Sequence, residues 1–126
     1  MIDKTLPVLI VDDYKTTVRI VSNLLRQIGF ENLDEASNGE EALQKLETGS
    51  YGLVLSDWNM EPMSGYELLT RIRRHPTLGD TPFVMITAET REENILAAKS
   101  AGADNYIIKP FTAETLRGKL EAVSID

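Results

Sequence analysis

The stretch LPVLIVDD, residues 6–13, decides the fold class of this chain. From Leu6 to Val11 it is largely aliphatic, with no alternation of polar and apolar side chains, which is typical of a strand buried on both faces. It ends in two aspartates, Asp12 and Asp13. The next segment has apolar residues at helical spacing and a glycine, Gly29, placed to end a helix that begins near Thr16 or Thr17. Together they predict one strand followed by one helix.

The same unit recurs along the rest of the sequence. Further strands are predicted at residues 33–36, 52–56, 83–87 and 106–108, each followed by a segment of helical period. The 33–36 segment is half polar, which indicates a strand at the edge of the sheet. Strands that alternate with helices predict an α/β fold, a doubly wound parallel sheet with the flavodoxin-like (βα)5 strand order 2-1-3-4-5.

Composition narrows the classes of function. The chain has 126 residues, which predicts a single domain over residues 1–126. Its 20 acidic and 13 basic residues give a net charge of -7, which argues against nucleic acid or an anionic membrane as a partner. There is no cysteine for a disulfide, a thiolate metal site or a nucleophile. With no signal peptide or membrane span in the sequence, we expect a cytoplasmic protein.

Charged and hydroxyl side chains stand where the predicted strands end. Asp12 and Asp13 follow the first strand, Asp57 the third, Thr87 ends the fourth and Lys109 follows the fifth. The first and third strands are neighbours at the point where the strand order reverses, which is where open sheets of this type bind ligands. The carboxylates therefore converge, and their mutual repulsion calls for a cation. Oxygen ligands favour Mg2+ over zinc, particularly as the only histidine, His75, lies elsewhere.

The charge balance of this group points to phosphoryl chemistry. Three carboxylates, a divalent metal and the Lys109 ammonium sum to zero, so the site can accept a dianionic phosphoryl group. A carboxylate can be the nucleophile in phosphoryl transfer, and Asp57, alone at its strand end, is the candidate. Taken singly, the aspartates are more often turn or capping residues and Thr87 is more often a helix N-cap. The functional interpretation depends on all of them occurring at adjoining strand ends.

Several short motifs resemble those of response regulator receiver domains, most closely those of single-domain chemotaxis regulators. The motifs are VDD at residues 11–13, SDWNM at 56–60 with Pro62, Met63 and Gly65, ITAE at 86–89, Glu93-Asn94-Ile95, and Tyr106 with Lys109-Pro110-Phe111-Thr112. The resemblance covers nearly the whole chain.

The resemblance implies a phosphorylation-dependent switch in a two-component system. It implies that Asp57 takes a phosphoryl group from a CheA-like histidine kinase, and that the chain catalyses its own phosphorylation and dephosphorylation. Mg2+ would be held by Asp12, Asp13, Asp57 and the backbone carbonyl of Asn59, with Lys109 on the phosphoryl group. The Lys109–Pro110 bond is cis in the family.

The resemblance also assigns residues around this group. Thr87 and Tyr106 would form the switch, with Tyr106 turning inward after phosphorylation, although Tyr106 alone fits an ordinary core position. Asn59 and Glu89 would tune the lifetime of the phosphoryl group. The output surface would carry four side chains: Glu92, Lys99, Tyr106 and Lys119.

Two positions depart from the family pattern. Proline is common four residues after the phosphorylated aspartate, but here Glu61 occupies that position and Pro62 follows. Glu61 could bring another carboxylate toward the metal, although a solvent-facing loop residue is the plainer interpretation. Glu92 stands where a motor-binding protein of the enteric type is expected to carry positive charge, which weakens transfer of that interface.

The leading hypothesis is a monomeric switch that controls a flagellar motor through protein contact. A phosphate sink for a shared kinase and a single-domain regulator outside chemotaxis remain alternatives. A flavin carrier of the same architecture would need a glycine in the loop after the first strand, and residues 13–17 contain none. An aspartate-nucleophile phosphatase would have a D-x-D pattern and a cap domain, for which the chain is too short.

Overall fold

The structure is a computed structural model, and it describes residues 4–88 and 91–123. Its strands are β1 (Val8–Val11), β2 (Leu33–Ala36), β3 (Leu53–Asp57), β4 (Phe83–Thr87) and β5 (Asn105–Ile108). Its helices are α1 (Lys15–Ile28), α2 (Gly39–Thr48), α3 (Gly65–Arg74), α4 (Glu92–Ala101) and α5 (Ala113–Glu121).

The five strands form one parallel sheet in the order β2-β1-β3-β4-β5. The predicted architecture and the edge position of β2 are therefore confirmed. Chain reversal places β1 beside β3, because β1 pairs with β2 on one side and with β3 on the other. The carboxyl ends of these two strands consequently lie next to each other.

Strand boundaries differ from those predicted by one or two residues. β1 begins at Val8 rather than Leu6, because its pairing starts where Val8 meets Leu33 of β2. β3 extends to Asp57, which pairs with Ile86 of β4, and β5 starts one residue early, at Asn105. Strand ends depend on the length of the neighbouring strand, and a single segment of sequence does not contain that information.

Helix ends follow the predicted capping chemistry in part. The Asn38 side chain caps α2 by accepting a hydrogen bond from the Glu41 amide at 2.8 Å. Gly29 ends α1 with a φ of 119°, a left-handed conformation that glycine adopts without a steric penalty. The start of α1 was predicted at Thr16 or Thr17, but the helix begins at Lys15 after Tyr14, which makes no side-chain capping bond.

The core lies in two layers, one on each face of the sheet. Val8 and Ile10 of β1 face α1 and α5, whereas Leu9 and Val11 face α2 and α3. All four residues are at most 1% exposed. Both faces of β1 are thus covered, which explains why its sequence does not alternate. No helix within the described ranges is long and apolar enough to span a membrane.

Arg73, near the end of α3, joins segments at the amino-terminal edge of the sheet. Its guanidinium donates to the carbonyl oxygens of Gly102, Gly79 and Thr81 and to the Asp104 carboxylate, at 2.6–3.1 Å. The Asp104 carboxylate also accepts from the first amide of β4. One side chain therefore satisfies carbonyl groups at the end of α4 and in the loops that precede β4 and β5.

We expect Arg73→Met to lower the free energy of unfolding by about 2–3 kcal/mol, because partly buried carbonyl groups lose a charged donor. Arg71→Met is the matched control: Arg71 makes one exposed ion pair with Glu67, and its loss should cost at most about 0.5 kcal/mol. Urea denaturation measures both. Equal destabilisation of the two variants would contradict the role of Arg73.

Candidate functional site

Three carboxylates meet at the carboxyl ends of β1 and β3. Asp12, Asp13 and Asp57 each place an oxygen within 4.8 Å of the others. Asp12 and Asp57 are buried, with 4% and 6% exposure, while Asp13 is exposed to solvent. The convergence predicted from the sequence is confirmed, and it arises because β1 and β3 pair in register from Val8 to Val11.

Lys109 brings a positive charge to the same place from the end of β5. Its Nζ lies 3.0 Å from Asp57 Oδ1 and 3.7 Å from Asp12 Oδ2. The Lys109 amide donates to the Thr87 carbonyl at 2.8 Å, which fixes the Lys109 backbone beside the end of β4. One ammonium against three carboxylates leaves an excess of two negative charges at the site.

The pKa of Asp12 is raised mainly by burial, and the surplus of negative charge adds to the effect. Burial raises the pKa of the carboxyl from 3.8 to about 6, and the negative charges of Asp57 and Asp13 also raise it. The Tyr14 amide, which donates to Asp12 Oδ1 at 3.0 Å, and the Lys109 ammonium lower it. Because the pKa is higher in the folded chain than in the unfolded one, stability falls as the pH rises from about 3.8 to about 6 and stays lower above that range.

The donor set fits a hard divalent cation. All three side chains offer carboxylate oxygen, and the one exposed member, Asp13, leaves room for water. Mg2+ is typically bound by one or two carboxylates with several retained waters. A cation here would also favour the ionised form of Asp12. His75, at the end of α3, instead contacts Glu47 and takes no part.

Two clefts open beside the carboxylates. One is lined by Trp58, Asn59, Thr87, Ala88 and Asn94, so the residues after β3 and β4 border the same space. The other is lined by Asp13, Asn59, Met60 and Glu61. Asn59 borders both, and Glu61, which is exposed to solvent, lines the second cleft together with Asp13. The Glu61–Pro62 and Lys109–Pro110 bonds are both cis.

Thr87 lies at the end of β4 and is 2% exposed. The alternative role as N-cap of the next helix does not apply, because α4 is preceded by Arg91. Glu89, predicted to tune phosphoryl lifetime, lies outside the described residues.

The predicted output residues occupy the face formed by α4, β5 and α5. Lys99 and Lys119 lie over the Tyr106 ring, with Nζ 5.2 and 4.4 Å from its centroid. Tyr106 packs against the core layer that contains Met85, its partner in the β4 and β5 pairing. Glu92 lies in the first turn of α4, at the opposite end of the helix from Lys99, which lies in the last turn.

The structural roles of two contributors to the site were not predicted from the sequence, although one of them, Gly65, belongs to the motif around residues 56–65. The Tyr14 amide orients Asp12, but a backbone group leaves no signature in a side-chain pattern. Gly65, the first residue of α3, is buried against the Asp57 backbone, and its amide donates to the Trp58 carbonyl at 2.9 Å. A glycine at the start of a helix that follows a catalytic strand is the signal that could have identified it.

Comparison with known proteins agrees with this geometry. The response regulator receiver domain family matches residues 8–121. This chain is a member of that family. It is thus a receiver domain, a phosphorylation-dependent switch of two-component signalling, and its carboxylates lie at the switch point of the receiver sheet.

Curated relatives extend the likeness over almost the full length. The chain is 47% identical over 123 residues to chemotaxis protein CheY-3 of Vibrio cholerae, covering 98% of this receiver domain and 95% of the relative. It is 43% identical over 116 residues to chemotaxis protein CheY of Pseudomonas aeruginosa, covering 92% and 94%. Among solved structures, CheY4 of Vibrio cholerae superposes with a TM-score of 0.87 at 35% identity, covering 95% of this chain and 99% of that one.

Proposed function

We propose that this receiver domain accepts a phosphoryl group on Asp57 from a histidine kinase and signals in chemotaxis by protein contact. The observation that carries the proposal is the placement of Asp57 Oδ1 3.0 Å from Lys109 Nζ, inside a group of three carboxylates. Asp57 is 6% exposed, so its carboxylate is largely withdrawn from bulk water. The similarity to CheY proteins supports chemotaxis as the pathway.

The reaction follows from these positions. An Asp57 carboxylate oxygen attacks the phosphorus of a phosphohistidine, a new O–P bond forms, and the P–N bond breaks with its electron pair going to the imidazole. The imidazole takes up a proton as it leaves. Lys109 is placed to stabilise the phosphoryl oxygens, and the Thr87 hydroxyl is the candidate donor of a further hydrogen bond.

Asp12, Asp13 and the Asn59 carbonyl are the residues that would hold Mg2+ with Asp57. The metal would supply positive charge to the phosphoryl oxygens and offset the carboxylate surplus. Asn59 also lines both clefts beside the carboxylates, which supports a role in the approach of the hydrolytic water. The chain would thereby catalyse its own dephosphorylation, with Asn59 and Glu89 setting the rate.

The proposal is tested by incubating the protein with a small phosphodonor and Mg2+. We expect one phosphoryl group per chain by intact mass, stable in acid and labile in base as an acyl phosphate is. Omission of Mg2+ should reduce uptake strongly. No added mass under any donor would overturn the acceptor assignment.

Magnesium binding is expected to change Trp58 emission and to stabilise the fold. Trp58 follows Asp57, borders the cleft that Thr87 lines, and packs on Tyr66 with ring centroids 5.7 Å apart. A ligand of the folded state adds about 2.7 kcal/mol to the free energy of unfolding at a hundredfold excess over its dissociation constant. Trp58 is the only tryptophan, so its fluorescence titration is unambiguous.

Asp13→Asn is the most informative variant for this titration. Asp13 is exposed, so loss of its carboxylate should weaken Mg2+ binding without unfolding the chain. Asp80→Asn, in an exposed loop, is the control. A titration that is flat in the unmodified protein would contradict the metal assignment.

The proposed downstream partner is a flagellar motor switch protein, and the proposed active form is a cytoplasmic monomer with a single receiver domain. The alternative is a phosphate sink, which is favoured by Glu92, a negative residue at the tip of the output face. Affinity for a motor-switch peptide, measured with and without phosphorylation, separates the two. We expect tighter binding after phosphorylation, and equal affinity in both states would favour the sink.

A further inference from the structure

The Tyr106 ring is held by cations from two different helices. Lys99 comes from the last turn of α4 and Lys119 from the last turn of α5. Their Nζ atoms lie 5.2 and 4.4 Å from the ring centroid, both inside the range of about 6 Å over which a cation attracts an aromatic face. We refer to Lys99 and Lys119 as the lysine pair.

Asn105 fixes the backbone at Lys119 and at Tyr106. Its side-chain amide donates to the Lys119 carbonyl at 2.9 Å, and its Oδ1 accepts from the Tyr106 amide at 2.9 Å. One residue therefore ties the end of α5 to the base of the tyrosine. Lys119 is half-buried, whereas Lys99 is exposed. The Lys119 side chain therefore has less conformational freedom than the Lys99 side chain.

Among the described residues, no acidic side chain competes with the ring for these ammonium groups. Within residues 4–88 and 91–123, neither member of the lysine pair forms an ion pair. The acidic residues of α4, Glu92 and Glu93, are in its first turn, at the other end of the helix from Lys99. In the described part of the chain, the contact that the structure shows for each ammonium is therefore the one with the Tyr106 ring.

We propose that Lys99 and Lys119 are positioning residues of the Tyr106 switch, which hold the ring by cation–π attraction in the place it takes without a phosphoryl group. This inference rests on the proposed role of Tyr106 in the switch. Since each lysine belongs to a different helix, movement of either α4 or α5 weakens one contact. The lysine pair thereby couples the position of the ring to the packing of both output helices.

The expected size of the effect follows from typical cation–π energies at exposed sites, which correspond to a factor of about two to five in an equilibrium constant for each ammonium. Removing both should change the ratio of the two ring positions by a factor of about five to thirty if the contributions are independent. The aliphatic stems also cover the ring, so charge and packing must be separated.

The test uses 3-fluorotyrosine-labelled full-length protein and 19F NMR, with Tyr106→Phe to assign the Tyr106 signal. The readout is the shift of that signal between H2O and D2O, which grows with the exposure of the ring to water. Variants are Lys99→Met, Lys119→Met and the double change, which retain stems but remove charge. Lys99→Arg/Lys119→Arg keeps the cations, and Arg26→Met/Arg74→Met, on distant exposed positions, matches the change in net charge.

Without phosphodonor, the double methionine variant should move toward the isotope shift of the phosphorylated unmodified protein. The single variants should move part way, and the double arginine and distant variants should match the unmodified protein. A double methionine variant that matches the unmodified protein, or an equal change in the double arginine variant, would overturn the inference. Intact mass after phosphodonor treatment reports Asp57 chemistry separately, so loss of labelling would count against the proposed function and not against the lysine pair.

Discussion

Asp57→Asn protein is expected to take up no phosphoryl group from a small donor with Mg2+, where the unmodified chain takes up one. The substitution keeps the shape of a side chain that is 6% exposed but removes the nucleophilic carboxylate. It also removes one of the three charges that would bind the metal, so the stabilisation by Mg2+ should fall with it. Intact mass spectrometry and thermal melts with and without Mg2+ measure the two effects.

The fold itself should tolerate this change. Replacing one of three crowded carboxylates relieves repulsion, and the neutral side chain can still accept from Lys109, which lies 3.0 Å from Asp57 Oδ1. Asp80→Asn, in an exposed loop, should be labelled like the unmodified chain. Full labelling of the Asp57→Asn variant would place the acceptor on another residue.

Gly65→Ala is expected to produce the largest loss of stability among single-methyl changes near the site. A Cβ at Gly65 would overlap the Asp57 carbonyl oxygen and come within 3.0 Å of Met85 Sδ. Backbone atoms of β3 cannot yield as a flexible side chain can. We expect a loss of about 3 kcal/mol, at the upper end for overpacking of a core, and displacement of Asp57 with the strand.

Gly118→Ala is the matched control for this substitution. Gly118 lies inside α5, is exposed, and has no heavy atom within 4 Å of the position a Cβ would take. Alanine is the better helix former, so this variant should gain about 0.5–1 kcal/mol. Urea denaturation should thus show opposite signs for two glycine-to-alanine changes. A Gly65→Ala variant as stable as the unmodified chain would contradict the close packing at Asp57.

Much of the site could be anticipated because its main residues end strands. Asp12, Asp57, Thr87 and Lys109 were identifiable once the unalternating apolar segments had been recognised as buried parallel strands. In a parallel sheet, the residues that follow the strands all lie at the same edge of the sheet. The acidic group and its lysine therefore follow from the sequence and the topology together.

Other features could not be predicted from the pattern of side chains in the sequence. The contact of Gly65 with the Asp57 carbonyl depends on the path of the loop between β3 and α3. The role of Arg73 depends on where the carbonyl groups of distant loops come to lie. Both contacts are made to backbone carbonyl groups, and the identity of neighbouring residues does not encode where those groups come to lie.

By itself, the sequence determined that this is an α/β protein whose strand ends collect carboxylates, because hydrophobic period and strand-end chemistry are local properties. Only the tertiary structure decided the distances: 3.0 Å from Lys109 to Asp57, and two ammonium groups over one Tyr106 ring. Lys109 and Asp57 are 52 residues apart in the chain. Their separation in space is set by the register of three strands, β3, β4 and β5, which exists only once the sheet has formed.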